Sequence, residues 1–336
     1  RTVTTIGDDQ GNTAEVVRIG LTYDREEPNA PRSVIAKLHR QWSSVDNPAL
    51  IDVMRKIYER EVRFFKELGS DSGMAVPRLH VAEFDETPAE FILLLEDLSN
   101  LRAVDQSDDC SLEDASTAIN ALARMHAKWW GDQKLYEYPW LTERTLMSEP
   151  LVAQAIFAEY LDPFIEITGE HLPHGVEAIA RKLGPKLPEV IDAIAKPPIT
   201  LIHGDYRLAN LFFDDSVGGV VAFDWQTVGR VKAAAEVGMF ILLSFAVESR
   251  RKHEHHLLSE YYSSIVDLGV TGYSYDELLD DIRIGVLPSL VRRSNVIGGG
   301  IADRALASEE GRQRLMKMVE SLQMLVDWNC DEVIPK

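Results

Sequence analysis

Residues that favour extended backbone crowd into the first hundred positions of this chain, and helical periodicity governs most of the remainder. Segments 2–6 and 14–23 are rich in Val, Ile and Thr, and the polar stretch 7–12 between them has the composition of a turn. A polar, proline-containing segment leads to a third short strand at 33–39. Met54, Ile57, Tyr58, Phe64, Phe65 and Leu68 then recur at three- and four-residue steps, which is one buried face of a helix. Pro77 and the run 91–95 point to two further strands. After Leu98 a helical stripe of Ala115, Ala118, Ile119, Leu122, Met125 and Trp129 opens a region that is helical apart from one β-rich island near 199–225. Strands first and helices later imply an α+β chain of two lobes: a five-stranded antiparallel sheet with one helix, about residues 1–95, over a mainly helical part, 101–336.

Charge and composition narrow the function classes. A net charge of −19 repels nucleic-acid phosphates, so no nucleic-acid partner is expected. The acidity is spread about equally along both parts of the chain, so it speaks for solubility rather than for a trap for cations. The longest apolar stretch, 237–247, is short of the roughly 20 residues a bilayer demands and reads as a buried helix. Cys110 and Cys330 show no metal-ligand spacing and fit a reducing, cytoplasmic compartment. No signal-peptide pattern opens the sequence; the first residue is Arg1, which leaves open a natural leader upstream. No protein partner is evident. The glycine run 298–300 follows no strand and reads as a break between helices, not a phosphate cradle.

The β-rich island carries the chemistry. Segment 201–225 reads as a strand ending in His203-Gly204-Asp205, a loop, and a hairpin whose Asp/Gly-rich turn spans 214–219. Asn210 and Asp224 each lie seven residues from Val217, so a symmetric register sets the Asn210 amide beside the Asp224 carboxylate. Hard oxygens meeting at one point suit Mg²⁺, which takes one or two protein ligands and completes its shell with phosphate and water. Asp205, at the mouth of the island, can accept the proton of an attacking hydroxyl while the metal neutralises a transferring phosphoryl group. Arg207 is placed to stabilise charge on the γ-phosphate. Taken singly, each of these is also an ordinary polar turn residue.

Two residues upstream make a second set. Lys37 interrupts the apolar strand 33–39, and Glu61 sits in the middle of the apolar stripe of the first helix. A carboxylate facing a core is costly unless paired, and Lys37 is its natural partner for holding nucleotide phosphates. A Glu61 that snorkels to solvent and a Lys37 at a strand edge is the plainer alternative.

His203-Gly204-Asp205, Asn210 and Asp224-Trp225 resemble the catalytic and metal motifs of the aminoglycoside phosphotransferase and choline kinase superfamily. The wording HGDYRLAN is most similar to the ecdysteroid-kinase-like branch and to phosphotransferase domains fused to acyl-CoA dehydrogenases. The resemblance implies a protein-kinase-like bilobal fold that binds ATP and Mg²⁺. Asp205 is then the base, Asn210 and Asp224 the magnesium ligands, His203 a structural residue, and Lys37 with Glu61 the phosphate-holding pair. It also implies a hinge at 96–100, where the backbone around Glu96 and Leu98 bonds adenine. The segment 7–12, with two aspartates, departs from a glycine-rich phosphate loop.

The resulting expectation is transfer of the γ-phosphate to a hydroxyl of a small molecule. Two alternatives stay open: a protein kinase, although Trp225-Gln226 stands where that family has Phe-Gly, and a catalytically silent nucleotide-binding module. The aliphatic and aromatic content of the second lobe and the wording of the loop favour an apolar or hydroxyacyl acceptor over a cationic amine. His126, Trp129, Trp130 and Trp140 read as packed residues. His253, Glu254, His255 and His256 read as a solvated helix surface rather than a metal site, and Asp108 and Asp109 as solvated loop.

Overall fold

The alternation of buried and open side chains along the early strands sets up a sheet with one covered face. The computed structural model describes residues 2–6, 14–25, 28–39, 48–86, 90–105, 108–143, 149–300 and 303–336; the turn expected at 7–12 lies outside them. Strands β1 (Thr2–Thr5), β2 (Ala14–Gly20), β3 (Ser33–His39), β4 (Leu79–Asp85) and β5 (Glu90–Glu96) form one sheet in the order β1-β2-β3-β5-β4. Every pairing in it is antiparallel. Helix α1 (Pro48–Arg63) continues through a π-helical turn, Phe64–Leu68, and buries Tyr58, Val62, Phe65 and Leu68. The Tyr58 ring lies 4.5 Å from that of Phe91 on β5, which identifies the sheet face that α1 covers. Lys37 is opposite Leu93 on β5 and therefore shares the face of Phe91, Leu93 and Leu95.

From Arg102 the chain is mainly helical. A short strand β6 (Arg102–Ala103) precedes helix α2 (Leu112–Lys128), whose N-cap Ser111 accepts the Asp114 amide at 3.0 Å. Helices α3 (Pro150–Thr168), α4 (Val176–Leu183) and α5 (Leu187–Ile194) come after it. The β island comprises β7 (Thr200–Ile202), β8 (Leu211–Asp214), β9 (Gly219–Ala222) and β10 (Gly229–Val231), with β10 against β7 and β6 against β8. Helices α6 (Ala233–Ser244), α7 (Val247–Asp267), α8 (Tyr275–Gly285) and α9 (Pro288–Arg293) come next, and α9 runs into a π-helical turn, Ser294–Gly298. The chain closes with α10 (Asp303–Leu306), α11 (Glu309–Glu320) and α12 (Gln323–Asp327). No described helix is long and apolar enough to cross a membrane.

Two expectations change with the fold. The apolar stretch 237–247 is not one helix: α6 stops at Ser244, and Phe245 is extended. Asp109, an exposed loop residue as expected, accepts the Ala246 amide at 2.8 Å just before α7. Glu254 is buried against Arg250, while His255 and His256 beside it face solvent. In the glycine run, a Cβ on Gly298 would lie 2.4 Å from the Tyr160 carbonyl oxygen, so that glycine lets the π-helical turn seat against α3. Trp129 and Trp140 are buried and tie the helical part to the first, through Trp129 Nε1 to Ser72 O at 2.8 Å and Trp140 Nε1 to Glu67 at 2.8 Å.

Candidate active site

Two charged clusters meet at the β island. The first is centred on Lys37, which is 9% exposed. Its Nζ donates to Glu61 at 2.9 Å and to Asp224 Oδ1 at 2.7 Å. Burial alone would lower the Lys37 pKa, but the carboxylates of Asp224 and Glu61 outweigh it and raise it to about 12. Glu61 is 1% exposed; burial pushes its carboxyl up, against the pull of Lys37. Such a pair holds because each charge matches the other, and removing one partner of a buried pair costs about 3–5 kcal/mol.

The second cluster surrounds Asp205. Its Oδ1 accepts Arg292 Nη1 at 2.7 Å, and its Oδ2 accepts Arg207 Nε and Asn210 Nδ2, each at 3.1 Å. Burial would raise its pKa, yet Arg292 and then Arg207 hold the carboxyl well below the usual range. Asn210 also donates from Nδ2 to the Asp205 backbone carbonyl at 2.9 Å, which fixes the amide and leaves Oδ1 as its oxygen for a metal.

The two clusters are joined by the hairpin, in a register different from the symmetric one. Leu211 pairs with Ala222 and Asp214 with Gly219, so Asn210 faces Phe223, whose amide donates to the Asn210 carbonyl at 3.1 Å. Asp224 is one residue further on and turns through a left-handed backbone, φ 65°, a conformation that Asp and Asn tolerate better than most residues. That turn swings its carboxylate toward Lys37 while Trp225 drops into the core. Trp225 is fully buried and stacks on Phe64 at 4.0 Å, with its Nε1 on the Ala222 carbonyl at 2.9 Å.

Residues that sequence reasoning missed hold the loop in place. Glu236 on α6 is 4% exposed, and it accepts the His203 amide at 3.0 Å and the Gly204 amide at 2.6 Å. It also lies 3.2 Å from His126 Nε2, whose Nδ1 is 2.9 Å from the Tyr261 hydroxyl. His203 Nε2 donates to the Phe223 carbonyl at 2.9 Å and its Nδ1 accepts the Asp205 amide at 3.2 Å, so both ring nitrogens serve the backbone. Gly204 has φ +84°, and a Cβ there would lie 2.1 Å from the Thr227 carbonyl oxygen, so no side chain fits. Glu236 could have been suspected as the single charge in α6, and Arg292 as a cation just after the apolar start of α9.

Glu96 and Leu98 lie apart from both clusters in hydrogen bonding. The Glu96 amide donates to the Arg78 carbonyl at 2.9 Å, and the Leu98 carbonyl accepts the Leu101 amide at 2.9 Å. Between them Asp97 is held by Ser33 Oγ at 2.6 Å and Arg18 Nε at 2.8 Å, which docks the segment onto the sheet.

A cavity of about 310 Å³ opens beside Asp205, a volume within the small-molecule range of roughly 300–1,000 Å³. Its walls are mostly apolar, with Ile191, Ile194, Ile202, Val231, Met239 and Leu243 among them. Among the described residues no group of three or more His, Cys, Asp or Glu could hold a metal ion. The donor set of Asn210 Oδ1 and the Asp224 carboxylate fits Mg²⁺, which needs few protein oxygens when phosphate is present.

A profile of the ecdysteroid kinase-like family matches residues 10–270. The chain belongs to that family. Comparison with curated protein sequences finds no match. Among solved structures, the amicoumacin kinase hAmiN in complex with AMP-PNP, Ca²⁺ and Ami aligns at TM-score 0.57 and 14% identity, over 95% of this chain and 87% of that one. The ethanolamine kinase of Plasmodium vivax aligns at 0.55 and 11%, over 97% and 83%. The choline kinase LicA of Streptococcus pneumoniae aligns at 0.52 and 14%, over 96% and 94%. At such identities these likenesses speak for the fold: this ecdysteroid kinase-like chain has the protein-kinase-like architecture of the aminoglycoside phosphotransferases and choline kinases.

Proposed function

We propose that this chain is an ATP- and Mg²⁺-dependent phosphotransferase that moves the γ-phosphate to a hydroxyl of a small apolar or hydroxyacyl molecule. The observation that carries the reading is the position of Asp205. One of its oxygens is bonded to Asn210, whose strand leads to Asp224 and Lys37, and the same residue lines the apolar cavity. A carboxylate at that junction is placed to take the acceptor's proton. The acceptor oxygen forms its bond to the γ-phosphorus, the bond from that phosphorus to the β–γ bridging oxygen breaks, and the proton leaves to Asp205.

The rest of the proposal assigns roles around that step. Lys37, held by Glu61, neutralises nucleotide phosphates, and Arg207 stabilises charge on the transferring group. Asn210 and Asp224 hold Mg²⁺, which supplies charge neutralisation on the phosphate oxygens. Residues 1–95 form the nucleotide lobe, the backbone of Glu96 and Leu98 in the hinge 96–100 meets adenine, and 101–336 form the acceptor lobe. The neighbours named for choline and ethanolamine suggest small hydroxylated acceptors, and a walled cavity favours a small molecule over a polypeptide chain. Cys110 and Cys330 are free and buried, with burial pushing each thiol up to about 12, which suits a reducing, cytoplasmic setting.

The test is ADP release with Mg·ATP and a panel of hydroxylated acceptors: apolar alcohols, hydroxy acids, a sterol, choline and an aminoglycoside. Stimulation by at least one apolar or hydroxyacyl member, with phosphate on its hydroxyl by mass spectrometry, is the expected outcome. Stimulation by choline or the aminoglycoside alone, or phosphate incorporated into protein instead, would overturn the acceptor assignment.

A further inference from the structure

The acceptor cavity has one polar wall. Ser289, Arg292 and Asn295 recur at three-residue steps along α9 and its π-helical turn, and all three line the cavity. Its other charged residues are already matched. Glu236 is taken by the amides of His203 and Gly204, and Glu143 by Arg230 at 3.5 Å. Arg292 differs, because its side chain is 37% exposed and Asp205 is its one ion-pair partner among the described residues. Ser289 Oγ and Asn295 Oδ1 are buried atoms without a hydrogen-bond partner among the described residues. Ser289 Oγ can donate to an anion whereas Asn295 Oδ1 only accepts, so this wall suits a polar ligand group that meets Arg292 and the Ser289 hydroxyl.

We infer that the acceptor is a hydroxy acid: an apolar molecule whose carboxylate, a few bonds from the reacting hydroxyl, is bound by Arg292 with the Ser289 hydroxyl. This rests on the phosphotransferase reading above and names its substrate class. The geometry supplies the reason. Asp205 Oδ2 is shared by Arg207 and Asn210, so a hydroxyl arriving from the cavity must use Oδ1, which Arg292 occupies. A neutral alcohol that displaced the guanidinium would leave a half-buried cation without a partner. A carboxylate on the acceptor replaces Asp205 like for like, in the same planar fork, as the hydroxyl takes Oδ1. An ammonium group would instead be set beside a guanidinium, a like-charge contact.

Binding and turnover separate this inference from the reading beneath it. Octanoate, which lacks a hydroxyl, should bind the nucleotide-free protein in calorimetry at least tenfold more tightly than 1-octanol. Arg292→Gln should remove that preference by weakening octanoate binding, while Arg292→Lys should keep part of it. In ADP release, 3-hydroxyoctanoate should exceed its methyl ester at least tenfold in kcat/KM for the unaltered protein, a comparison that needs no variant to fold. Equal binding of octanoate and octanol, or equal turnover of acid and ester, overturns the hydroxy-acid inference and leaves the kinase reading standing. Octanoate binding that depends on Arg292, with no ADP release from any acceptor, supports the anion site and overturns the kinase reading.

Discussion

Asp205→Asn is expected to lower kcat by about 10²–10⁴-fold, the range for removing a general base, while the KM for ATP changes little. The separation comes from the layout. Asp205 contacts Arg292, Arg207 and Asn210, whereas Lys37, Glu61 and Asp224 form their own ion cluster through direct bonds. Asparagine keeps the shape of the side chain and removes its charge, so nucleotide binding should survive. Two guanidiniums would lose their counter-charge, so the melting temperature should be recorded alongside. A variant that is folded and turns over acceptor at near the original rate would contradict the assignment of the base.

Asp224→Asn is expected to act on binding rather than on turnover alone. The proposal gives its carboxylate the role of holding the metal with Asn210, and it sits next to Lys37 at 2.7 Å. Asparagine tolerates the left-handed backbone, φ 65°, so the hairpin exit should keep its course. Lys37 retains Glu61 at 2.9 Å, so the core beneath should stay intact. The expected result is a loss of about 100-fold in Mg·ATP affinity by calorimetry. The sharper readout is the metal dependence: the unaltered protein should bind ATP more tightly with Mg²⁺ than without, and the variant should barely distinguish the two. A variant that still responds fully to Mg²⁺ would place the metal elsewhere.

How much of the fold and site is legible in the sequence depends on whether the signal is local. The five early strands and α1 are readable because periodicity acts within a few residues, as in the alternation Phe91, Leu93, Leu95 and the stripe through Tyr58 and Phe65. Glu61 stands out because a carboxylate in an apolar stripe demands a partner, and Lys37 is the candidate within the adjacent strand. The hairpin is readable from its Asp/Gly turn, but its register is not. The turn closes on Asp214 and Gly219 with Gly218 at φ +63°, which centres it half a residue before Val217 and puts Phe223, not Asp224, across from Asn210. The left-handed turn at Asp224 has no signature in composition alone.

Non-local partners are out of reach of such signals. Arg292 meets Asp205 across 87 residues, and only the packing of α9 beside the β island brings them together. Glu236 carries a signal of the kind that singles out Glu61, a lone charge in an apolar helix. The apolar stretch that announces this helix begins at Val237, one residue after it, so the charge falls just outside the pattern. The bond from the Ala246 amide to the exposed Asp109 is equally hidden, since it spans 137 residues.

Oxygens from one short stretch of chain are expected to gather at the phosphate end of a nucleotide, and a crystal structure with Mg²⁺ and AMP-PNP tests that most directly. The expected result is a magnesium ion at about 2.1 Å from Asn210 Oδ1 and from the Asp224 carboxylate, Lys37 on the phosphates, and Asp205 facing the γ-phosphate from the acceptor cavity. A nucleotide bound away from Lys37, or a metal that touches neither Asn210 nor Asp224, would contradict it.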